Sequence, residues 1–258
     1  MPKPKIAVLY FPGNNCEEET RDRCTDVGID AKIIRWNSKE NLSDYDGYII
    51  PGGFSYEDRV RAGVIAAKDK IMDKVKEEVD KGKLLLGICN GAQILIETGL
   101  VPGLKNKIEM AIAPNENPLI SGYYDAWVYI KPSNNKKNAF NQFYKKNEII
   151  KVPVAHGEGR FITKDKNLIK NLINNKQIVF QYCDEKGKIK NNYPTNPNGA
   201  VNNIAAISNK QGNVMALMPH PERASYNWQV PDSIKNNKKT NAIKIFESMK
   251  KYIQCKIL

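Results

Sequence analysis

Short runs of hydrophobic residues in the first third of the chain predict strands that alternate with helices. The predicted strands cover 6–10, 31–36, 48–50 and 84–86, and the three consecutive leucines of the last run are typical of a strand buried on both faces. After the first strand, an acidic turn at 17–19 predicts the start of a helix that ends at Gly28. Its predicted inner face consists of Cys16, Thr20, Cys24 and Val27.

A second helix is predicted to begin at a capping box formed by Ser55 and Asp58 and to end at Gly82. Gly63 interrupts its hydrophobic spacing, and a third helix follows Gly91. The resulting order β-α-β-β-α-β-α predicts an α/β fold, with helices on both faces of a mostly parallel sheet.

The remainder of the chain is rich in predicted strands, which cover 108–113, 126–130, 148–154, 178–182, 204–207 and 214–218. The Asn/Lys-rich segments 133–147 and 186–203 are interpreted as surface insertions. A last helix over about 240–255 would bury Ile243, Phe246, Met249 and Ile253. Because no segment resembles a linker between two cores, we expect residues 1–258 to form a single domain.

The junction between the fourth strand and its helix carries the clearest chemical signal. The sequence Gly87-x-Cys89-x-Gly91 has the glycine spacing of a nucleophile elbow, with cysteine as the nucleophile. Glycines are needed there because the turn is too tight for a Cβ on either side. The helix N-terminus favours the thiolate, so we expect Cys89 to be a nucleophile rather than a buried small side chain.

Composition excludes several function classes. The 258 residues carry 40 basic and 28 acidic side chains, a net charge of +12, but the lysines are scattered and no nucleic-acid-binding signature is present. The five cysteines include no C-x-x-C pair, and no metal-ligand spacing is found. The first hydrophobic run is too short for a signal peptide, and no later run reaches membrane length. These features predict a cytoplasmic protein with reduced thiols, no metal, and neither nucleic acid nor membrane as a partner.

A cysteine nucleophile needs a base, and the chain has two histidines. The predicted strand 214–218 delivers His220 to the carboxyl edge of the sheet, where open α/β sheets place their sites. Pro221 favours an extended backbone at His220, which would place the side chains of His220 and Glu222 next to each other. A carboxylate in that position orients the imidazole, so we predict the triad Cys89, His220 and Glu222.

Acyl transfer also needs an oxyanion hole. In elbow folds one donor is the N–H of the residue after the nucleophile, here Asn90. The glycine loop at 51–54 is a candidate for the second donor, because glycine lets the backbone approach a substrate closely. An ordinary glycine turn is the alternative interpretation of this loop.

His156 is the other candidate base. Its flanking glycines, within the sequence His156-Gly157-Glu158-Gly159-Arg160, predict a mobile loop. A recognition role for His156, Glu158 and Arg160 is therefore favoured over a catalytic one, with a solvated turn as the alternative.

Four segments, 53–59, 87–93, 156–160 and 218–223, resemble motifs of the triad (class I) glutamine amidotransferases. Within this family they are most similar to the glutaminase subunits of phosphoribosylformylglycinamidine synthase, and the likeness extends over 5–223. Asn90 is part of this likeness, because other triad amidotransferases usually carry leucine after the cysteine. Glu57-Asp58-Arg59 departs from the Gly-Asp found in many members, which puts partner docking in question more than chemistry.

The resemblance implies a flavodoxin-like three-layer sandwich that hydrolyses L-glutamine. Cys89 would attack the side-chain amide, His220 with Glu222 would move the proton, and the N–H groups of Gly53 and Asn90 would hold the oxyanion. Phe54 and Gln93 would line the glutamine pocket.

The resemblance also implies partners. The released ammonia would pass to a synthetase subunit, which converts formylglycinamide ribonucleotide to the amidine in purine biosynthesis. That subunit, not this chain, would hold ATP and magnesium, and a small third subunit would bridge the two. The alternative function is a cysteine-elbow hydrolase or peptidase-like protein of similar fold; its histidine would usually follow the elbow closely. A non-catalytic binding module with a vestigial triad is disfavoured, because all three triad residues are present.

Overall fold

Eleven strands and five α-helices are found in the part of the chain that the structure, a computed structural model, describes, residues 3–105 and 107–256. The strands are β1 (Lys5–Tyr10), β2 (Asp30–Arg35), β3 (Gly47–Ile50), β4 (Leu84–Ile88), β5 (Ala111–Pro114), β6 (Tyr124–Pro132), β7 (Ile150–His156), β8 (Glu158–Ile162), β9 (Ile178–Cys183), β10 (Ile204–Ser208) and β11 (Val214–Leu217). The helices are α1 (Glu17–Asp26), α2 (Lys70–Asp80), α3 (Asn90–Thr98), α4 (Lys166–Asn174) and α5 (Lys244–Lys256).

Nine strands form one mixed sheet in the order β2-β1-β3-β4-β11-β10-β9-β6-β7. The first five of these run parallel, and the remaining neighbours pair antiparallel. Every residue of β3, β4 and β11 is buried, so both faces of the sheet are covered there. The predicted α/β fold is confirmed, and its parallel half gathers several strand ends at one edge.

The predicted strands of the parallel half and the helix after the first of them are also confirmed in position. All four residues predicted for the inner face of α1 are buried, as are those predicted for α5. β5 and β8 form a separate two-stranded antiparallel sheet. Neither β8 nor α4 was predicted. β8 is short and its first three residues are Glu158-Gly159-Arg160, which carry no strand signal. The four hydrophobic residues of α4 do recur at helical spacing, and this signal was missed. Among the described residues, no helix is long and apolar enough to cross a membrane.

The predicted capping box at Ser55 and Asp58 is wrong. Residues 55–58 form a short 3-10 turn in which Tyr56 and Glu57 adopt left-handed conformations, with φ of 54° and 59°. The helix α2 starts later, where the side chain of Asp69 accepts a hydrogen bond from the Ile71 N–H at 3.1 Å. The cause is tertiary, because Ser55 N–H and the Asp58 carboxylate are bound by a side chain of α3 described below.

The two segments interpreted as surface insertions are also partly buried. In 133–147, the ring of Tyr144 packs edge-on against Phe180, with ring centroids 5.3 Å apart, and both rings are buried. In 186–203, Asn198 is fully buried and its side chain donates to the carbonyl of Gly159 at 2.8 Å. These asparagine-rich segments therefore fill polar parts of the interior, which their composition alone does not reveal.

Candidate active site

The predicted nucleophile elbow is present at the end of β4. Cys89 has φ 50° and ψ −105°, an unfavourable backbone conformation for a residue with a Cβ and a feature of strained elbow turns. A Cβ on Gly87 would lie 2.4 Å from the Gly91 carbonyl oxygen, and a Cβ on Gly91 would lie 2.0 Å from that of Ile50. Both glycines are therefore required for α3 to approach β3 and β4 this closely, and that approach holds the thiol at the carboxyl edge of the sheet.

His220 and Glu222 lie next to each other, as predicted, with 2.5 Å between Nδ1 and Oε1. Both side chains are almost completely buried. The extended conformation predicted for this segment applies only to His220, because Pro221–Arg223 form a 3-10 turn in which Arg223 N–H donates to the His220 carbonyl at 3.3 Å. The turn, rather than strand periodicity, brings the carboxylate to the imidazole.

The imidazole of His220 is arranged to carry a proton. Burial lowers its pKa, but the carboxylate of Glu222 and the neighbouring sulfurs of Cys89 and Cys16 outweigh burial, so the pKa of His220 lies well above its usual value. Its other ring nitrogen, Nε2, is buried and has no hydrogen-bond partner among the described residues. That nitrogen is the free position of a base whose Nδ1 is held by Glu222.

Gly52 lies between the thiol and the imidazole. A Cβ at this position would be 2.8 Å from Cε1 of His220 and 3.5 Å from Cβ of Cys89. The absence of a side chain at Gly52 therefore lets the triad residues from β4 and β11 share one narrow space.

Cys16, predicted only as part of the inner face of α1, is a second thiol at the site. Its Sγ accepts a hydrogen bond from Nη2 of Arg223 at 3.1 Å and would lie 3.0 Å from a Cβ on Gly52. Burial raises the pKa of Cys16, which keeps this thiol protonated and poorly nucleophilic. Its position after β1, whose carboxyl end lies at the same edge as that of β4, was the signal that could have identified it.

Three side chains of this site have donor atoms close enough together to bind a metal ion. Ligand atoms of Cys16, His220 and Glu222 lie within 4.8 Å of one another. However, His220 and Glu222 bind each other, and the guanidinium of Arg223 next to Cys16 opposes a second cation. The geometry suits a proton relay better than a metal.

Two backbone N–H groups are available as oxyanion donors. Asn90 is the first residue of α3, so its N–H has no acceptor within the helix. The N–H of Gly53 donates to no acceptor among the described residues, whereas the N–H of the next residue, Phe54, donates to the Gly13 carbonyl at 2.8 Å. Gly53 lines the same cavity as Cys89.

The side chain of Asn90 holds the turn at residues 55–58, which directly follows the glycine loop, against α3. It is fully buried; its Oδ1 accepts from Ser55 N–H at 3.0 Å, and its Nδ2 donates to Asp58 Oδ1 at 3.1 Å and to Gln93 Oε1 at 2.8 Å. Gln93 in turn donates to the Glu158 carbonyl at 2.6 Å. A chain of hydrogen bonds thus connects the elbow, the glycine loop and β8.

A small cavity of about 180 Å³ opens beside Cys89. This volume is below the 300–1,000 Å³ of pockets for drug-sized ligands and suits a single amino acid. Phe54 and Gln93, both predicted to contact substrate, line it. It is also lined by Tyr123, which was not predicted and whose ring centroid lies 6.2 Å from that of Phe54.

The prediction of a mobile loop at 156–160 is wrong. His156 is the buried last residue of β7, and Glu158 begins β8, so this segment connects two strands. Burial and the neighbouring His220 lower the pKa of His156 to about 3, which keeps it neutral, and its Nδ1 lies 3.0 Å from Oδ1 of Asn115. Hydrophobic alternation across the glycines is weak, and pairing with β5 supplies the order that composition does not reveal.

Of the three residues predicted for recognition at 156–160, two reach the cavity and one does not. His156 and Glu158 line it. Arg160 instead binds Glu116 at 2.5 Å and the Pro114 carbonyl at 3.0 Å. Its guanidinium therefore connects β8 to the segment that follows β5.

Comparison with known proteins yields consistent matches over nearly the whole chain. The family model of the CobB/CobQ-like glutamine amidotransferase domain matches residues 3–253. The phosphoribosylformylglycinamidine synthase subunit PurQ of Methanothrix thermoacetophila is 44% identical, over 97% of this chain and 98% of the relative. The protein of the same name from Pyrococcus horikoshii is 43% identical, over 86% and 89%.

A solved structure agrees with these matches. A chain in the structure of PurLQS from Thermotoga maritima superimposes with a TM-score of 0.77 at 32% identity, over 98% of this chain and all of that one.

Proposed function

The chain belongs to the CobB/CobQ-like glutamine amidotransferase family, and on that basis we propose that it is the glutaminase subunit of phosphoribosylformylglycinamidine synthase. It hydrolyses glutamine to glutamate and delivers the ammonia to a synthetase that makes formylglycinamidine ribonucleotide in purine biosynthesis. The observation that carries this proposal is the elbow thiol of Cys89 at the sheet edge that also holds the His220–Glu222 pair. The names of the relatives supply the reaction that such a thiol serves.

Cys89 is proposed to form the covalent intermediate. Its thiolate attacks the side-chain amide carbon of glutamine, a C–S bond forms, and the C–N bond breaks to release ammonia. Water then hydrolyses the thioester to glutamate and regenerates the thiol. The strained conformation of Cys89 supports this role, because it is the backbone geometry of elbow turns that present a nucleophile.

His220 is proposed to accept the thiol proton and to donate it to the leaving ammonia. The buried contact between Nδ1 and Glu222 fixes the ring and leaves Nε2 free for this transfer. The raised pKa of His220 favours the imidazolium that exists between the two proton transfers. Glu222 then orients and stabilises the imidazolium without itself taking the proton.

The oxyanion of the tetrahedral intermediate is proposed to bind the N–H groups of Gly53 and Asn90. Their lack of competing acceptors supports this assignment. Phe54 and Gln93 are proposed to shape the glutamine pocket, since both line the cavity beside Cys89.

The chain is proposed to act as one domain within a larger complex. One continuous nine-stranded sheet and a family match over 3–253 support a single domain. The structural relative is part of PurLQS, which supports a synthetase partner. We further propose that a small subunit bridges the two and that ATP and magnesium bind the synthetase rather than this chain. The peptidase-like alternative is not favoured by these relatives.

The division of labour is tested in the complex reconstituted from this chain and its synthetase. Cys89→Ala should abolish amination driven by glutamine, because no thioester can form. The same complex supplied with ammonium salt at alkaline pH should still make the amidine, since free ammonia reaches the acceptor directly. Cys183→Ala is the matched control, because it removes a buried thiol that does not line the cavity. Glutamine-dependent product from Cys89→Ala would overturn the proposal.

A further inference from the structure

A second cavity, of about 520 Å³, opens at the carboxyl end of β2. Because β2 runs parallel to β1, this cavity lies at the same edge of the sheet as the active site, where open α/β sheets bind ligands. Its walls include Trp36 and Asn37 after β2, and Lys68, Asp69, Lys70 and Lys74 around the start of α2. None of these residues lines the cavity beside Cys89, and the volume is typical of small-molecule sites, which enclose about 300–1,000 Å³.

The three lysines of this cavity have no partner in the protein. The ammonium groups of Lys68, Lys70 and Lys74 form no ion pair and no hydrogen bond with any residue of the described part of the chain. Lys76, which is on the same helix but outside the cavity, does have a carboxylate nearby, with 3.9 Å to Asp73. The cavity therefore presents three unneutralised positive charges.

The two carboxylates that line the cavity are already occupied. Both oxygens of Asp69 accept hydrogen bonds, one from the Ile71 N–H at 3.1 Å and the other from the Tyr56 hydroxyl at 2.8 Å. One oxygen of Glu40 binds Lys32 at 2.6 Å, and the other accepts a hydrogen bond from a tyrosine hydroxyl at 2.6 Å. Since Asp69 also caps α2, the unmatched donors of the cavity are those of the lysines, and a ligand that satisfies them must bring negatively charged acceptors.

Trp36 gives the cavity an aromatic wall opposite in character to the lysines. Its side chain is half-buried and packs against the hydrophobic core, which holds the indole in place. An indole stacks on other planar rings, and the exposed amide of Asn37 beside it can both donate and accept hydrogen bonds. The cavity thus combines a surface for a flat ring with a cluster of cations.

We propose that this cavity binds a phosphomonoester that carries a planar aromatic ring, as a mononucleotide does. The ring stacks on Trp36, and the phosphate, with about −1.5 to −2 charge and three acceptor oxygens, binds Lys68, Lys70 and Lys74. The site shares no lining residue with the cavity beside Cys89, so its existence does not depend on the proposed glutaminase function.

The test is a calorimetric titration of the full chain with adenosine 5′-monophosphate. Adenosine, which lacks the phosphate, and ribose 5-phosphate, which lacks the ring, are the matched ligands. The mononucleotide should bind about tenfold more tightly than either, because only it uses both walls. Its Kd should also rise with salt concentration, since exposed lysines are screened.

Two variants assign the two walls separately. Replacing Lys68 and Lys70 together with glutamine should weaken binding of the mononucleotide by about tenfold and leave adenosine unchanged. Trp36→Leu should weaken the mononucleotide and adenosine and leave ribose 5-phosphate unchanged. The lysine pair is exposed, so its replacement tests the site without disturbing the core.

Matched controls remove the same groups elsewhere. Lys145→Gln with Lys146→Gln deletes two neighbouring exposed lysines, and Trp228→Leu deletes a tryptophan that is 49% exposed; none of the three lines this cavity. Both controls should bind the mononucleotide as the wild type does. The proposal is overturned if the mononucleotide does not bind, if ribose 5-phosphate binds equally tightly, or if the control lysine pair costs as much affinity as Lys68 and Lys70. Unchanged affinity in the two cavity variants would overturn it as well.

Discussion

Replacing Asn90 with leucine tests whether the side chain of this residue holds the oxyanion donor in place. Leucine has a similar volume, and it is the residue that other triad amidotransferases usually carry after the cysteine. The substitution removes the hydrogen bonds to Ser55, Asp58 and Gln93 but keeps the backbone N–H of residue 90. Any effect on catalysis must therefore arise from the glycine loop and the pocket rather than from loss of the first oxyanion donor.

The magnitude follows from what each former partner does next. Ser55 N–H is buried and would lose its acceptor, whereas Asp58 and Gln93 line the cavity, where water can replace Asn90. Only the bond to Ser55 is then lost without replacement: at about 1 kcal/mol for that bond and 1–3 kcal/mol for the buried orphan donor, we expect a destabilisation of about 2–4 kcal/mol. If Gly53 N–H then no longer points at the oxyanion, kcat should fall on the order of 10²-fold.

Asn213 provides a matched control. Its side chain is also buried and donates to the carbonyls of Val79 at 3.1 Å and Lys83 at 2.8 Å, and accepts from Asn209 at 2.9 Å. It precedes β11, at the end of this strand opposite His220. Asn213→Leu should lose comparable stability in urea denaturation but keep kcat within about twofold in the glutaminase assay.

The comparison separates positioning from general destabilisation. Both assays are run on the folded complex at a temperature well below either unfolding midpoint. If Asn90→Leu and Asn213→Leu had equal kcat values, the hydrogen bonds from Asn90 would not be needed to position the Gly53 N–H, and the reasoning would be refuted. Loss of kcat in both variants would attribute the effect to stability alone.

Three further outcomes are expected. A diazo-ketone analogue of glutamine should label Cys89 and none of the other four cysteines, and peptide mapping that placed the label elsewhere would contradict the elbow assignment. Glu222→Gln should lose less activity than His220→Ala in steady-state assays, because an orienting partner is often the smaller loss; the reverse ranking in folded protein would contradict it. Since the folded-state pKa of Asp58 is raised to about 6, its charge destabilises the protein above that pH, so Asp58→Asn should be stabilising near pH 8 and lose this gain as the pH falls toward 4. Denaturation curves that show no pH dependence of the difference would refute it.

The elbow and the parallel half of the sheet could be predicted because their signals are local. The elbow needs glycines two residues before and two residues after Cys89, so its signal lies within one short segment. Continuous hydrophobic runs mark strands buried on both faces. The proximity of His220 and Glu222 was predictable for the same reason, although the backbone between them is a turn rather than a strand. The local sequence therefore predicts that the two side chains are close but does not predict the backbone conformation that brings them together.

The turn at residues 55–58 could not be predicted, because its conformation depends on a distant residue. Ser55 and Asp58 have the spacing of a helix start, and an isolated segment would favour that interpretation. Instead, the side chain of Asn90 accepts a hydrogen bond from the Ser55 N–H and donates one to the Asp58 carboxylate, the two groups that would pair with each other in a capping box. A tertiary hydrogen-bond network thus overrides a local preference, which no reading of residues 55–58 alone would reveal.

Most of the site follows from topology once the strand order is known, but one wall of the cavity does not. The carboxyl ends of β1, β3, β4 and β11 meet at one edge, which gathers Cys16, Gly52, Cys89 and His220. The wall formed by β7 comes from the opposite end of the sheet order, yet the Pro153 carbonyl accepts from His220 N–H at 2.9 Å, and the Ala155 carbonyl lies 3.6 Å from the Cys89 sulfur. The antiparallel half must therefore curl back over the parallel edge, so Ala155 and His156 of β7, which help to close the cavity, are placed by sheet curvature and not by any pattern in their own sequence.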